Sequence, residues 1–177
     1  MEYYTVDICG RKENLPILQI GDNLKIAFFN LHGAQALTEY CGKKLAERIK
    51  NADVVITAES KGLQLAHCVA RELGQEFYAV ARKSKKLYMQ DGISSTVNSI
   101  TTAGTQTLYL SKHDVDLIRG KRVAIVDDVI STGGSLEGLE KLIGLAGGEI
   151  AARAFVLAEG EAKDRKDIIY LGTIPLL

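Results

Sequence analysis

Two adjacent carboxylates, Asp127 and Asp128, follow the apolar run Val123-Ala124-Ile125-Val126. Behind Val129-Ile130 comes the small-residue stretch Ser131-Thr132-Gly133-Gly134-Ser135. Ionised carboxylates only accept hydrogen bonds, so a pair of them matches the two hydroxyl donors of a vicinal diol. Ser131, Thr132 and Ser135 offer hydroxyls, and Gly133 and Gly134 let the backbone approach a ligand closely. Apolar residues at Leu136, Leu139, Leu142, Ile143 and Ala146 predict a helix over 135–146, ended by Gly147-Gly148. The free N–H groups and partial positive charge at such a helix start suit a phosphate dianion. A ribose bearing a 5′-phosphate presents both features together. Neither GxxxxGK[ST] nor GxGxxG occurs, so this is not a P-loop or a dinucleotide fingerprint.

Two further segments carry positive charge to strand ends. Val54-Val55-Ile56 leads through Thr57-Ala58-Glu59 to Ser60-Lys61-Gly62, where a cation and a flexible backbone precede a predicted helix over 63–73. An anion suits that position, although a helix start with a solvated lysine accounts for the same residues. Phe77-Tyr78-Ala79-Val80 runs into Arg82-Lys83-Ser84-Lys85-Lys86, a charge run placed at a third strand end.

The elements that must position these groups alternate. Leu37, Cys41, Leu45 and Ile49 predict a helix over 34–50. Val54–Ile56 and Val123–Val126 lack polar alternation, as strands buried on both faces do. Ile150–Ala158 and Ile168–Leu171 are late strands. Ile17–Ile20 and Lys25–Phe29 are short strands around Gly21-Asp22-Asn23. Adjacent strand residues face opposite ways, so the two acids can share a ligand only where their strand ends; the expected end is Val126. The stretch 82–107, rich in Ser, Thr, Gly and Asn, is either a long hairpin or a mobile loop, with Thr107–Leu110 as its final strand. The fold class is α/β, a mainly parallel sheet flanked by helices, with ligands beyond the carboxyl ends of its strands.

The 177 residues suit one domain. Lys plus Arg and Asp plus Glu are both 22, a balance that argues against nucleic acid as partner. There is no apolar run of the ~18 residues that a membrane helix needs, and no basic-then-apolar leader. Cys9, Cys41 and Cys68 are odd in number and widely spaced, which fits a reducing, cytoplasmic setting rather than a zinc site or disulfide framework.

The Val123–Ser135 segment resembles the 5-phosphoribosyl 1-pyrophosphate (PRPP) motif of type I phosphoribosyltransferases, and the likeness extends over roughly 53–160. The resemblance implies that Asp127 and Asp128 hold the ribose hydroxyls and that Ser131, Thr132, Gly133, Gly134 and Ser135 hold the 5′-phosphate. Glu59-Ser60-Lys61-Gly62 is similar to the family's pyrophosphate loop, which assigns Ser60, Lys61 and Gly62 to pyrophosphate. Arg82, Lys83 and Lys86 join them by likeness to the Arg-Lys-x-x-Lys start of the lid in adenine and xanthine enzymes. The stretch 87–107 is then the lid, with Ser94–Ser99 similar to its Ser/Thr-rich part. Lys25–Asn30 resembles the adenine enzymes' segment over the base, which makes Phe28 and Phe29 base contacts; both are equally readable as core. The resemblance also implies Mg2+ carried by PRPP without direct protein ligands, a homodimer, and a hood segment over 1–33 ahead of a PRPP-binding core over 34–177.

The expected activity is transfer of a 5-phosphoribosyl group from PRPP to a purine base in purine salvage, adenine before xanthine. The family's hypoxanthine–guanine branch carries an acid where Ser131 stands, and adenine enzymes carry a glutamate where Ser95 stands. The competing expectation is a non-catalytic PRPP sensor of the purine-repressor type. Such regulators carry a DNA-binding segment, for which the residues before 30 leave no room. A phosphatase or other sugar-phosphate protein would leave the basic cluster and lid unexplained.

Overall fold

Strands that are apolar throughout need cover on both faces, and the helices between them supply it. The computed structural model describes residues 2–21, 24–99 and 104–177. The chain begins with β1 (Tyr3–Ile8), β2 (Arg11–Gly21) and β3 (Leu24–Ala27), then α1 (Gln35–Ala46), β4 (Val54–Ala58), α2 (Leu63–Glu72) and β5 (Ala79–Ala81). It continues with β6 (Ile93–Ser99), β7 (Gly104–Leu110), α3 (Lys112–Ile118), β8 (Arg122–Ile130), α4 (Gly134–Ala146), β9 (Glu149–Glu159), a 3-10 turn (Gly160–Asp164) and β10 (Ile169–Ile174).

The central sheet runs β10-β9-β8-β4-β5, and every pair in it is parallel. Period-two alternation along β8 feeds two cores. Ala124 and Val126 pack with α1, α2 and the N-terminal strands, and Val123 and Ile125 pack with α3, α4 and β7. The predicted stripe of α4 is the buried one, with Leu136, Leu139, Leu142 and Ile143 inside; each such side chain contributes about 1.5–3 kcal/mol. Asp53 accepts from the Arg122 guanidinium at 2.8 and 3.1 Å and from its N–H at 2.9 Å. This clamp joins β4 to β8 at the end opposite the site, so their carboxyl ends emerge side by side.

Several sequence expectations change. Strand β8 does not stop at Val126; Asp127 pairs with Phe155 and Val129 with Leu157, so the acids lie within the ladder. The first strand pair is longer than expected: β2 starts at Arg11 and pairs with the unforeseen β1 as well as with β3. Asp22 and Asn23, the expected turn residues, lie outside the described residues. The helix α1 ends at Ala46 rather than 50, and β5 covers Ala79–Ala81 rather than starting at Phe77. Within 82–107, β6 and β7 form an antiparallel hairpin lying against α4; residues 100–103 of the expected lid fall outside the described residues. The helix α3 was unforeseen.

Candidate active site

The site begins where β8 nears its end. Asp128 is 5% exposed. Its Oδ1 accepts from the Val129 N–H at 2.8 Å, while its buried Oδ2 has no hydrogen-bond partner. Asp127 Oδ1 accepts from the Asp128 N–H at 2.8 Å. Burial first, and the Asp128 carboxylate second, push the Asp127 carboxyl well above its ordinary range; that N–H and the Lys83 charge oppose the shift without cancelling it. The free protein therefore keeps a proton on the pair near neutrality, rather than the two full charges that the sequence reading assumed.

Beyond β4, the loop to α2 closes onto these acids. A Cβ on Gly62 would lie 2.1 Å from Thr57 Oγ1 and 2.8 Å from Asp127 Oδ1, so only glycine lets the loop come this near. Lys61 stretches over the acids: its Nζ is 4.0 Å from Asp128 Oδ2 and 5.6 Å from the centroid of the Phe28 ring. Phe28 is half-buried, whereas Phe29 is 3% exposed and belongs to the core beside Leu31. Of the two expected base contacts, Phe28 alone presents its ring to the site.

The charge run after β5 divides. Glu59 Oε2 accepts from Arg82 Nε and Oε1 from the Lys83 N–H, both at 2.6 Å, and Arg82 Nη1 donates to Tyr88 Oη at 2.9 Å. Burial alone would raise the Glu59 carboxyl, but these donors hold it below its usual range. Arg82 thus ties β5 to the Lys61 loop instead of standing free for an anion. Lys83 lies within electrostatic reach of Asp127, and Lys86 of Glu59.

The small-residue stretch turns sharply into α4. Gly133 sits at φ 86° as the residue before the helix, a left-handed conformation that glycine adopts without a Cβ penalty. A cavity of about 240 Å³ opens between this turn and Asp127, lined by residues 131–135 and, from β7, Gln106. A second cavity of about 350 Å³ adjoins Ser131 and Thr132, bounded by Glu159, Arg165 and Leu176. The arrangement offers buried acceptors, hydroxyls and a helix start on one side and a lysine on the other.

Residues 30–174 match the phosphoribosyl transferase domain family. The chain belongs to the phosphoribosyltransferase family. It is 38% identical over 116 residues to the adenine phosphoribosyltransferase of Clostridium botulinum strain Eklund 17B, a match that covers 66% of this chain but only 64% of that relative. It is 33% identical over 149 residues to the xanthine phosphoribosyltransferase of Exiguobacterium sp. strain AT1b, covering 82% of this chain and 76% of the relative. Its fold superposes on the crystal structure of adenine phosphoribosyltransferase from Thermoanaerobacter pseudethanolicus with a TM-score of 0.74, at 25% identity over 90% of this chain and 95% of that one.

In this family member, three side chains at or beside the site escaped the sequence reading. Thr57, fully buried with an unpaired Oγ1, reads in sequence as one more β-strand residue. Gln106 shares the inward face of β7 with the buried Leu108 and Leu110, a period-two signal hidden in a polar stretch. Arg165 follows the 3-10 turn in a run of mixed charge that marks nothing by itself.

Proposed function

We propose that this chain transfers the 5-phosphoribosyl group of PRPP to a purine base and releases pyrophosphate, with adenine preferred to xanthine. The observation that carries this reading is the shared cavity between Asp127 and the Ser131–Ser135 turn. It offers acceptors for a diol and donors for a phosphate in one small volume. Relatives named for adenine and xanthine support the choice of a purine.

Although β8 runs past them, the carboxylates of Asp127 and Asp128 both reach the Lys61–Gly62 loop. There they accept from the ribose hydroxyls, Asp127 from within the cavity, and the residues from Ser131 to Ser135 surround the 5′-phosphate with hydroxyl and N–H donors. Lys61, with Ser60, Gly62, Lys83 and Lys86, meets the pyrophosphate as its negative charge grows on departure from C1. Phe28 offers a ring face to the purine. The β6–β7 hairpin limits water at C1, where a cation-like centre develops.

Mg2+ would neutralise the pyrophosphate oxygens and so favour their departure. The donor set fits an ion that travels with its substrate. Asp128 Oδ2 is a buried acceptor without a hydrogen-bond partner, 4.0 Å from Lys61 Nζ. Asp127 and Asp128 would hold it through ribose oxygens or water.

A cytoplasmic homodimer completes the proposal. Leu87 and Tyr88, 97% and 69% exposed beside the basic cluster, are a surface suited to a second copy.

Two measurements test this reading. With Mg-PRPP and adenine, xanthine, hypoxanthine or guanine, pyrophosphate release should be fastest with adenine; silence on all four, with PRPP bound tightly, would leave a sensor and end the enzymatic reading. Lys61→Ala should raise KM for PRPP about 10-fold or more, as loss of one charge-assisted contact does, with a much smaller change for the base. Equal changes would move Lys61 out of the pyrophosphate site.

A further inference from the structure

The residues assigned to the 5′-phosphate are all neutral: three hydroxyl side chains and two glycines at a helix start. Two carboxylates stand nearby on β8, and Glu159 and Glu161 line the cavity on the other side of the turn. A phosphate dianion entering this region meets mostly negative side chains, and the helix start supplies only a partial positive charge. A full cation beside the turn would add to that partial charge.

Arg165 stands beside the turn. It lines the second cavity, which meets the first at Ser131 and Thr132, and its Nη1 falls 3.1 Å from the position a Cβ on Gly133 would take. Its fork is already oriented: Nε donates to Asp167 Oδ1 at 2.9 Å and Nη2 to Asp167 Oδ2 at 2.6 Å. Nη1 has no hydrogen-bond acceptor among the described residues. Asp167 thus fixes one edge of a planar guanidinium and leaves the rest facing the glycine turn.

We infer that Arg165 binds the 5′-phosphate of the ribosyl donor through Nη1, with Asp167 as the positioning residue. This rests on the proposed function, since it adds a cation to the phosphate turn assigned there. It also gives Gly133 a second role, because a side chain at that position would stand against the guanidinium.

The test is titration of ribose 5-phosphate and, separately, inorganic pyrophosphate into the full chain by calorimetry, with PRPP and adenine kinetics alongside. Arg165→Gln should weaken ribose 5-phosphate about 10- to 100-fold, the range for a charge-assisted hydrogen bond, and leave pyrophosphate unchanged. KM for PRPP should rise in parallel with little change in KM for adenine. Arg165→Lys keeps the charge without the fork and should lie between. Asp167→Asn should weaken ribose 5-phosphate several-fold while Arg165 remains. Thermal melts of each variant show that the fold persists, and Asp167→Asn, which leaves Arg165 in place, keeps a second route to the answer. Thr132→Val separates the two levels of the reading. If it weakens ribose 5-phosphate and Arg165→Gln does not, the arginine assignment is wrong and the phosphate turn stands. If ribose 5-phosphate fails to bind the unaltered protein, the turn itself is misassigned. A change confined to adenine would place Arg165 at the base and overturn the inference.

Discussion

Replacing Asp127 and Asp128 together by asparagine is expected to cut kcat/KM for PRPP by about 10²- to 10⁴-fold, since two charge-assisted acceptors worth ~1.5–3 kcal/mol each in the substrate complex are lost. The same change should make the free protein more stable. The two carboxyls are adjacent and desolvated, Asp128 is almost fully buried, and one of its oxygens has no hydrogen-bond partner. Crowding of this kind raises the Asp127 carboxyl above its ordinary value, so the native protein binds a proton that the unfolded chain has already released. The pair's contribution to stability is therefore fully present at pH below the ordinary carboxylate range, near ~3.9. It is lost as pH rises from there through the raised value. The melting temperature of the double variant should accordingly approach that of the natural protein in acid and exceed it increasingly toward alkaline pH, by about 2–4 °C for each kcal/mol of repulsion relieved. Scanning calorimetry across that range decides the matter. A melting difference independent of pH would mean that the two carboxyls do not hold a proton between them, and near-normal turnover would remove them from the ribose site.

The expected opposition of activity and stability follows from where the acids sit, and that placement was only half legible. The residue types, Asp127-Asp128 ahead of a small-residue turn, point to the proposed diol-and-phosphate site without any structure. Their position inside β8 was not legible, because the strand continues to Ile130 by pairing with Phe155 and Leu157 of β9, about thirty residues away. Periodicity reads a run of apolar residues and stops at the first charge. The same limit hid β1, whose six residues bury only Val6 and Ile8, too few for a pattern. The helix α3 did have a local signal: Ser111 and Asp114 cap each other across its first turn. Its short, highly charged sequence offered no apolar stripe to prompt the search.

Pairings between distant residues set what could be foreseen at the site. The four-residue spacing in α1 and the stripe of α4 describe each helix alone, and both matched buried faces. By contrast, Arg82 looked like a free cation after β5, and it became a strut because Glu59, at the end of β4, reaches it across the sheet edge. Phe28 and Phe29 look alike in sequence; chain direction after β3 turns one toward Lys61 and the other into the core. Composition places charges and rings near a strand end, but the neighbouring strand decides which of them remains available to a ligand.

The second large effect is steric, and it tests that neighbour relation directly. Gly62→Ala introduces a Cβ at 2.1 Å from Thr57 Oγ1 and 2.8 Å from Asp127 Oδ1, distances that cannot persist. Thr57 is fully buried and belongs to the β4 ladder, paired with Val80, so it cannot swing away. The loop carrying Lys61 must move outward or Asp127 must rotate, and either displaces groups on two sides of the cavity. Overpacking of this kind costs about 1–3 kcal/mol of stability, and a shift of ~1 Å in a reacting assembly costs about 10²-fold in rate. Gly62→Ala should therefore lower both the melting temperature and kcat/KM for PRPP, with ribose 5-phosphate affinity less affected because residues 131–135 are untouched. Thr57→Ala removes the nearer obstacle together with a buried hydroxyl that has no partner, so alone it should be mild. Combined with Gly62→Ala it should restore about 10-fold of the lost activity and part of the lost stability, a positive coupling in the four-protein cycle. Strictly additive losses would mean that the loop lies farther from β4 than these distances state, and the close approach of Lys61 to the paired acids would lose its physical cause.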